Sequence, residues 1–151
     1  MFFAVPVTSV HSHATMRVAV LRFFNPVGAH PTHLCGEYIS TSTKGSLMME
    51  LCRVALGNRS NLDVFGNDWN TPDGTCIRDY IHVVDLAKGH ICALESLFND
   101  PKPGGFFEVW NLGSGRGVSV LQLIKAMEVA TGSSIPYRLV PFVFVLLLIQ
   151  D

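Results

Sequence analysis

The sequence predicts an α/β fold, and three observations carry that expectation. Arg17–Phe24 is a near-continuous apolar run of the kind that suits a parallel strand covered on both faces. Further strand-like runs at Leu62–Phe65, Ile77–Val84, Phe106–Leu112 and Ile135–Val140 alternate with segments of helical periodicity. Each change of period falls at a turn former or a capping residue.

In chain order, Met1–Thr15 is apolar but lacks the positive start of a secretory leader. In Arg17–Phe24, Val18, Val20, Leu21, Phe23 and Phe24 are mostly strand formers, and Asn25-Pro26 is expected to stop the strand. A loop is expected to follow, running from Val27 through Gly45. Ser46 can cap a helix from Leu47 to about Leu56, ended by Gly57, with Leu47, Met48, Leu51, Cys52 and Ala55 as its apolar stripe. The short run Leu62–Phe65 ends at Gly66, and Asn67, Asp68, Asn70, Pro72, Asp73 and Gly74 make a polar loop. Ile77–Val84 then alternates until Asp85, which is expected to cap a helix lined by Leu86, Ile91, Leu94 and Leu97. Gly89 should weaken that helix by about 1 kcal/mol relative to alanine. After the loop Asn99–Gly105 and the strand Phe106–Leu112, Ser119 with Gln122 makes a capping box for a helix ending near Gly132.

Composition limits the function classes. The 151 residues are 48% apolar and 15% charged, with a net charge of −1. That balance is globular and gives no electrostatic case for nucleic acid or an anionic membrane surface. The apolar tail Phe142–Ile149 is far shorter than the ~20 residues of a membrane helix, although it has the character of an aggregation-prone segment. Cys35, Cys52, Cys76 and Cys92 lack metal or disulfide spacing, and Cys52 and Cys92 are expected as buried free thiols in a reducing, cytoplasmic setting. His11, His13, His30 and His33 are read as surface histidines, since no carboxylate or cysteine cluster joins them; no metal site is expected. The Gly113-Ser114-Gly115-Arg116-Gly117 turn is not read as a dinucleotide loop: its third glycine comes one residue early, and no acidic residue follows ~20 positions on.

Arg78, just past the Gly-containing loop, is the residue most suited to binding. Its guanidinium fork could grip two phosphate oxygens, or it could pair with Asp79 or Asp85. Motifs around it favour the first option. Val64-Phe65-Gly66-Asn67-Asp68, Thr71-Pro72-Asp73-Gly74-Thr75, Arg78-Asp79-Tyr80-Ile81-His82-Val83, Leu21 to His30 and Asn111-Leu112-Gly113-Ser114-Gly115 together resemble the UDP-glucose 4-epimerases of the extended short-chain dehydrogenase/reductase family. The resemblance runs from about Arg17 to Pro141, with unfamiliar segments at 1–16 and 142–151.

The resemblance implies a partial NAD(P)-binding Rossmann-like fold, mostly its substrate-binding part, without the amino-terminal cofactor-binding βαβ units. It implies a UDP-sugar ligand. Asn25 would meet the phosphate or hexose, Arg78 the pyrophosphate and the Val64-Phe65 backbone the uracil; Ser46, Leu47 and Tyr80 complete the substrate set. Phe24 would lie near the nicotinamide of NAD. The family usually has two asparagines where this chain has Gly45 and Ser46. Family members catalyse with a Tyr-x-x-x-Lys pair, which takes the proton from the sugar's 4-hydroxyl, and with NAD, which accepts and returns a hydride. None of Tyr38, Tyr80 and Tyr137 has lysine four residues on, so no catalytic residue is expected, and NAD is not expected to bind these residues alone. The family's homodimer is not expected either. The expectation is therefore a UDP-glucose 4-epimerase-like chain, truncated and inactive on its own. A non-catalytic UDP-sugar-binding or partner-binding module is the alternative, and a dehydratase or decarboxylase acting on nucleotide sugars is a lesser one.

Overall fold

The computed structural model describes residues 17–37, 45–99 and 105–141. The segments 1–16 and 142–151, with the apolar tail, lie outside the described residues. The elements are β1 (Arg17–Phe23), β2 (Asn25–Val27), α1 (Leu47–Ala55), β3 (Leu62–Phe65), β4 (Ile77–His82), α2 (Val83–Asn99), β5 (Phe106–Leu112), β6 (Gly117–Ser119), α3 (Val120–Thr131) and β7 (Tyr137–Val140). The expected α/β class holds, and the β1–β5, β2–β4 and β3–β7 pairs are parallel. The chain divides into two compact units. The first takes the residues up to Gly36 and Asp79–Arg116; the second takes Glu37–Arg78 and the chain from Gly117 onward.

In the first unit β1 pairs with β5 along its whole length, from Arg17 opposite Phe106 to Phe23 opposite Leu112. Helix α2 packs on both strands. Strand β1 ends one residue before the expected Phe24. The stop expected at Asn25-Pro26 is instead a second short strand, with Asn25, Pro26 and Val27 opposite Tyr80, Ile81 and His82. Among the described residues β2 has β4 on one side only. An edge strand tolerates Pro26, because its missing N–H withdraws no ladder bond from a second neighbour.

Helix α2 begins at Val83, two residues before Asp85. The chain passes from β4 into the helix without a loop, and the His82 Nδ1 accepts from the Val84 amide at 3.2 Å, the capping role expected of Asp85. The buried side of α2 carries Leu86 and Ala93, with Gly89 and Leu97 half-buried. Ile91 and Leu94, both expected on the inner face, are 56% and 51% exposed. A line through 86, 89, 93 and 97 follows the helical repeat, whereas 91 and 94 lie on another side. Gly89 also has a positive reason to be glycine: a Cβ there would lie 2.9 Å from Leu112 Cδ1, so its absence lets the helix approach β5. Cys92 is exposed on this helix, against the expectation of a buried thiol, and Cys52 is half-buried on α1.

In the second unit Leu51, Val54, Leu62, Val64, Ile124 and Ile135 form the core, with Leu47 and Ala55 packed against it. The face of α1 therefore runs through 47, 51, 54 and 55, rotated away from the expected Met48 and Cys52. The Ser46 hydroxyl accepts from the Met49 amide at 3.3 Å, as a cap should, and Gly57 takes a φ of 73° just past the helix end. The capping box of α3 is present in both directions, and Gly132 closes that helix in the left-handed region at a φ of 67°. Strand β6 was not apparent in the sequence, because three residues, one of them glycine, carry no period. Strand β7 begins at Tyr137 and pairs with β3, while Ile135, expected inside the strand, is a buried core residue preceding it.

Candidate functional site

The candidate residues fall into both units, and each set has its own geometry. In the first unit Phe24, Asn25 and Tyr80 gather where β1 gives way to β2 and where β4 runs beside it. Ligands of open α/β sheets bind beyond the carboxyl ends of the strands, and Phe24 follows β1 directly. The Phe24 amide donates to the Leu112 carbonyl at 3.0 Å, extending the β1–β5 ladder by one bond. Phe24 is 47% exposed. The Asn25 Nδ2 donates to the Asp79 carbonyl at 2.9 Å, and Asn25 stands opposite the half-buried Tyr80.

Asp79 is the residue that sequence reasoning missed, having been considered only as a possible partner of Arg78. Its Oδ1 accepts from the Ser114 amide at 2.9 Å and the Ser114 hydroxyl at 2.7 Å; its Oδ2 accepts from the Gly115 amide at 2.9 Å. The Ser114 hydroxyl, then the Ser114 amide and the Gly115 amide, hold the carboxyl below the usual carboxylate range. Consecutive amides ending in a left-handed Gly115, φ 71°, make a concavity suited to an anion. The glycine spacing of this turn is not that of a dinucleotide loop, and its anion is this side chain. The available signal was the Ser-Gly pair after a strand, downstream of a strand carboxylate.

In the second unit Ser46 and Leu47 stand at the start of α1. The Ser46 hydroxyl donates to Glu37 Oε2 at 2.8 Å, so its one proton is committed there while it accepts from Met49. Val64 as a whole is buried in the core, whereas Phe65, at the end of β3, is 51% exposed. Among the described residues β3 has a strand neighbour, β7, on one side only.

Arg78 is exposed and, among the described residues, belongs to no ion pair. The two carboxylates weighed as its partners are occupied: Asp79 as above, and Asp85 by Lys88 at 3.3 Å. The loop ahead of Arg78 is fixed from within. Asp73 Oδ1 accepts from the Thr75 amide at 2.9 Å and hydroxyl at 2.7 Å, and its Oδ2 accepts from the Ser119 hydroxyl. At Gly74, φ 75°, a Cβ would lie 2.3 Å from the Asn67 carbonyl oxygen, so only glycine closes this loop.

A further carboxylate, Glu50 on α1, organises the start of that helix. It accepts from the Gly45 amide at 3.1 Å and from Arg53 at 2.8 Å, and it also pairs with Arg59, whose Nη2 reaches Asp63 at 2.6 Å. Burial pushes the Glu50 carboxyl up, but the Gly45 amide, Arg59 and Arg53 outweigh it and hold the group below its ordinary value. Among the described residues no group of histidine, cysteine or carboxylate side chains could hold a metal ion, and no helix is long and apolar enough to cross a membrane.

Comparison with known proteins places this geometry in context. A family model described as the NAD dependent epimerase/dehydratase family matches residues 3–113. A UDP-glucose 4-epimerase of Cyamopsis tetragonoloba is 55% identical over 120 residues, covering 80% of this chain and 33% of the relative. The UDP-glucose 4-epimerase of Homo sapiens is 50% identical over 126 residues, 83% of this chain and 35% of the relative. The chain thus spans about a third of the length of these two relatives. Among solved structures, a UDP-glucose 4-epimerase from Stenotrophomonas maltophila with bound NAD and formylated UDP-arabinopyranose aligns at a TM-score of 0.82 and 39% identity, covering 91% of this chain and 39% of that one. The enzyme from Bifidobacterium longum, in complex with NAD+ and UDP, aligns at a TM-score of 0.74 and 43% identity, covering 89% and 38%. These alignments also bear out the expected Rossmann-like fold of the extended short-chain dehydrogenase/reductase type.

Proposed function

We propose, from the premise that this chain belongs to the NAD dependent epimerase/dehydratase family, that it carries the UDP-sugar-binding residues of a UDP-glucose 4-epimerase. The observation that carries the reading is Arg78, an exposed guanidinium without an ion pair among the described residues, although acidic neighbours stand close in sequence. A fork kept from internal carboxylates is available to the two oxygens of a pyrophosphate. Asn25 would meet the phosphate or hexose, the Val64-Phe65 backbone the uracil, and Ser46, Leu47 and Tyr80 the remainder of the substrate. Phe24, half exposed, would line the nicotinamide.

The family's NAD has no phosphate cradle among the described residues. The Ser114 and Gly115 amides, which would suit a pyrophosphate, are bonded to Asp79. These residues therefore bind and orient a nucleotide sugar and leave hydride chemistry to a cofactor held elsewhere. No tyrosine in the 151 residues has lysine four positions on, which favours UDP-sugar binding without turnover as the property of this chain by itself.

Isothermal calorimetry with UDP and UDP-glucose tests the reading. The unsubstituted chain should bind both. Arg78→Ala should weaken binding by a few kcal/mol, and Arg78→Lys, which keeps charge without the fork, by less. Equal affinity of the three proteins for UDP excludes Arg78 from the pyrophosphate site. Added NAD and UDP-galactose should yield no UDP-glucose from the 151-residue chain, and product above a catalyst-free control would overturn the non-catalytic part of the reading.

A further inference from the structure

Asp79 lies between two candidate ligand residues, Arg78 and Tyr80, yet its own carboxylate turns to the chain. Both oxygens are used: Oδ1 by the Ser114 amide and hydroxyl at 2.9 and 2.7 Å, Oδ2 by the Gly115 amide at 2.9 Å. Its carbonyl oxygen takes the Asn25 Nδ2 at 2.9 Å. The turn it grips begins at Gly113, where a Cβ would fall 2.5 Å from the Phe24 ring and 2.6 Å from Asp79 Oδ2. Phe24 is tied to the preceding residue of the same turn through its amide and the Leu112 carbonyl, 3.0 Å. One residue thus joins the Asn25 side chain, the turn, and through the turn the Phe24 ring.

We propose that Asp79 is a positioning residue for nucleotide-sugar recognition: it fills the amide concavity of the Ser114–Gly115 turn with a fixed internal anion and thereby sets the place of Phe24 and Asn25. The proposal rests on the UDP-sugar reading above and deepens it. A phosphate in the same concavity would come and go with the ligand. A covalently held carboxylate fastens the main chain of residue 79 to the turn before the ligand arrives, and the main-chain carbonyl of Asp79 orients the Asn25 carboxamide. Asp79 touches no ligand in this account and acts only through its neighbours.

The experiment compares the unsubstituted chain with Asp79→Ala, Asp79→Asn and the double variant Asp79→Ala/Asn25→Ala, reading UDP affinity by calorimetry and the Ser114, Gly115 and Asn25 side-chain amide resonances by NMR. The chain with Asp79 intact should show hydrogen-bonded shifts for all three. In Asp79→Ala they should move and UDP affinity should fall about tenfold, the equivalent of ~1.4 kcal/mol. Asp79→Asn, which keeps one acceptor oxygen, should recover part of the loss. The double variant should bind little worse than Asp79→Ala, because the main-chain carbonyl of residue 79, still present in Asp79→Ala but no longer held in place by the carboxylate, then ceases to orient Asn25; full additivity would mean a general loss of structure and overturn the proposal. So would unmoved resonances, or UDP affinity unchanged in Asp79→Ala beside a binding unsubstituted chain. Failure of the unsubstituted chain to bind UDP overturns the nucleotide-sugar reading itself, and the proposal with it.

Discussion

Two carboxylates, Glu50 in one unit and Asp79 in the other, fasten loops by the same kind of bond but in opposite surroundings. Glu50 is 8% exposed and faces the guanidiniums of Arg53 and Arg59, while accepting the Gly45 amide. Asp79 is half-buried and, among the described residues, meets only neutral donors on Ser114 and Gly115. A carboxylate taken from water needs opposite charge to stay ionised, whereas one that keeps part of its hydration needs only well-aimed hydrogen bonds. The difference separates two tasks. Around Glu50 the chain protects a core, and around Asp79 it fixes the shape of an accessible edge.

The sharpest way to test that division is to damage the core directly. Leu51 is fully buried among Val54, Leu62, Val64, Ile124 and Ile135, so Leu51→Ala should cost about 3 kcal/mol through lost transfer energy and the cavity left behind. Chemical denaturation followed by circular dichroism measures it. A loss below about 1 kcal/mol would mean that the core collapses around the gap and is looser than its burial implies.

Glu50→Gln comes next, at about 2 kcal/mol, since the amide cannot satisfy two guanidiniums and the Gly45 amide together. The sign of the pH dependence follows from the lowered carboxyl. A group with a depressed folded value stabilises the fold fully above its ordinary value of 4.5 and loses that contribution as pH falls through the folded value. Asp79 has the same sign in a lower window, beneath its ordinary 3.8. Melting temperatures from about pH 6 to pH 3 should therefore fall in the unsubstituted chain, and less steeply in Glu50→Gln. Parallel slopes would remove Glu50 from the acid response.

The elements with their own local signals were the ones legible in advance. Ser119 and Gln122 announce a capping box that is present in both directions, and of Arg17–Phe24, patterned as a parallel strand, Arg17–Phe23 is one. What escaped depends on pairing across the sequence. Asn25–Val27 is a strand only because Tyr80–His82 lies beside it, 55 residues away, and no period survives in three residues containing proline. The inner face of α2 was misplaced for a related reason. Composition marks Ile91 and Leu94 as apolar, but the packing surface is decided by where β1 and β5 lie, and small Gly89 and Ala93 serve there better than large residues. Arg78 stands out by its guanidinium after a Gly-containing loop, and Phe24 and Asn25 by motif; Asp79 lies within the Arg78-to-Val83 motif, but the turn that takes its carboxylate is 35 residues away and only folding brings them together.

Ser119→Ala should cost about 1 kcal/mol as the loss of a helix cap. Ser119 also donates to Asp73, which holds the Thr71–Thr75 loop ahead of Arg78, so this variant should further increase the exchange rate of the Thr75 amide. If the thermal stability falls while that exchange rate stays fixed, the cap and the loop are separate features.

The smallest expected effect is the most discriminating for the packing of α2. Helix propensity alone makes Gly89→Ala stabilising by about 1 kcal/mol, because alanine loses less backbone freedom on folding. The close approach to β5 opposes that gain: the new methyl would stand 2.9 Å from Leu112 Cδ1 and 3.2 Å from Cδ2. Those atoms are the far end of a flexible side chain, so Leu112 can turn aside at modest cost, unlike the Phe24 ring and Asp79 carboxylate that confront Gly113. The two terms should nearly cancel, leaving a change within about 0.5 kcal/mol. A full 1 kcal/mol of stabilisation would mean that α2 sits farther from β5 than the structure places it. A loss beyond 1 kcal/mol would mean that Leu112 is held rigidly, and the Leu112 carbonyl, through its bond to the Phe24 amide, would then carry the strain directly to the candidate site.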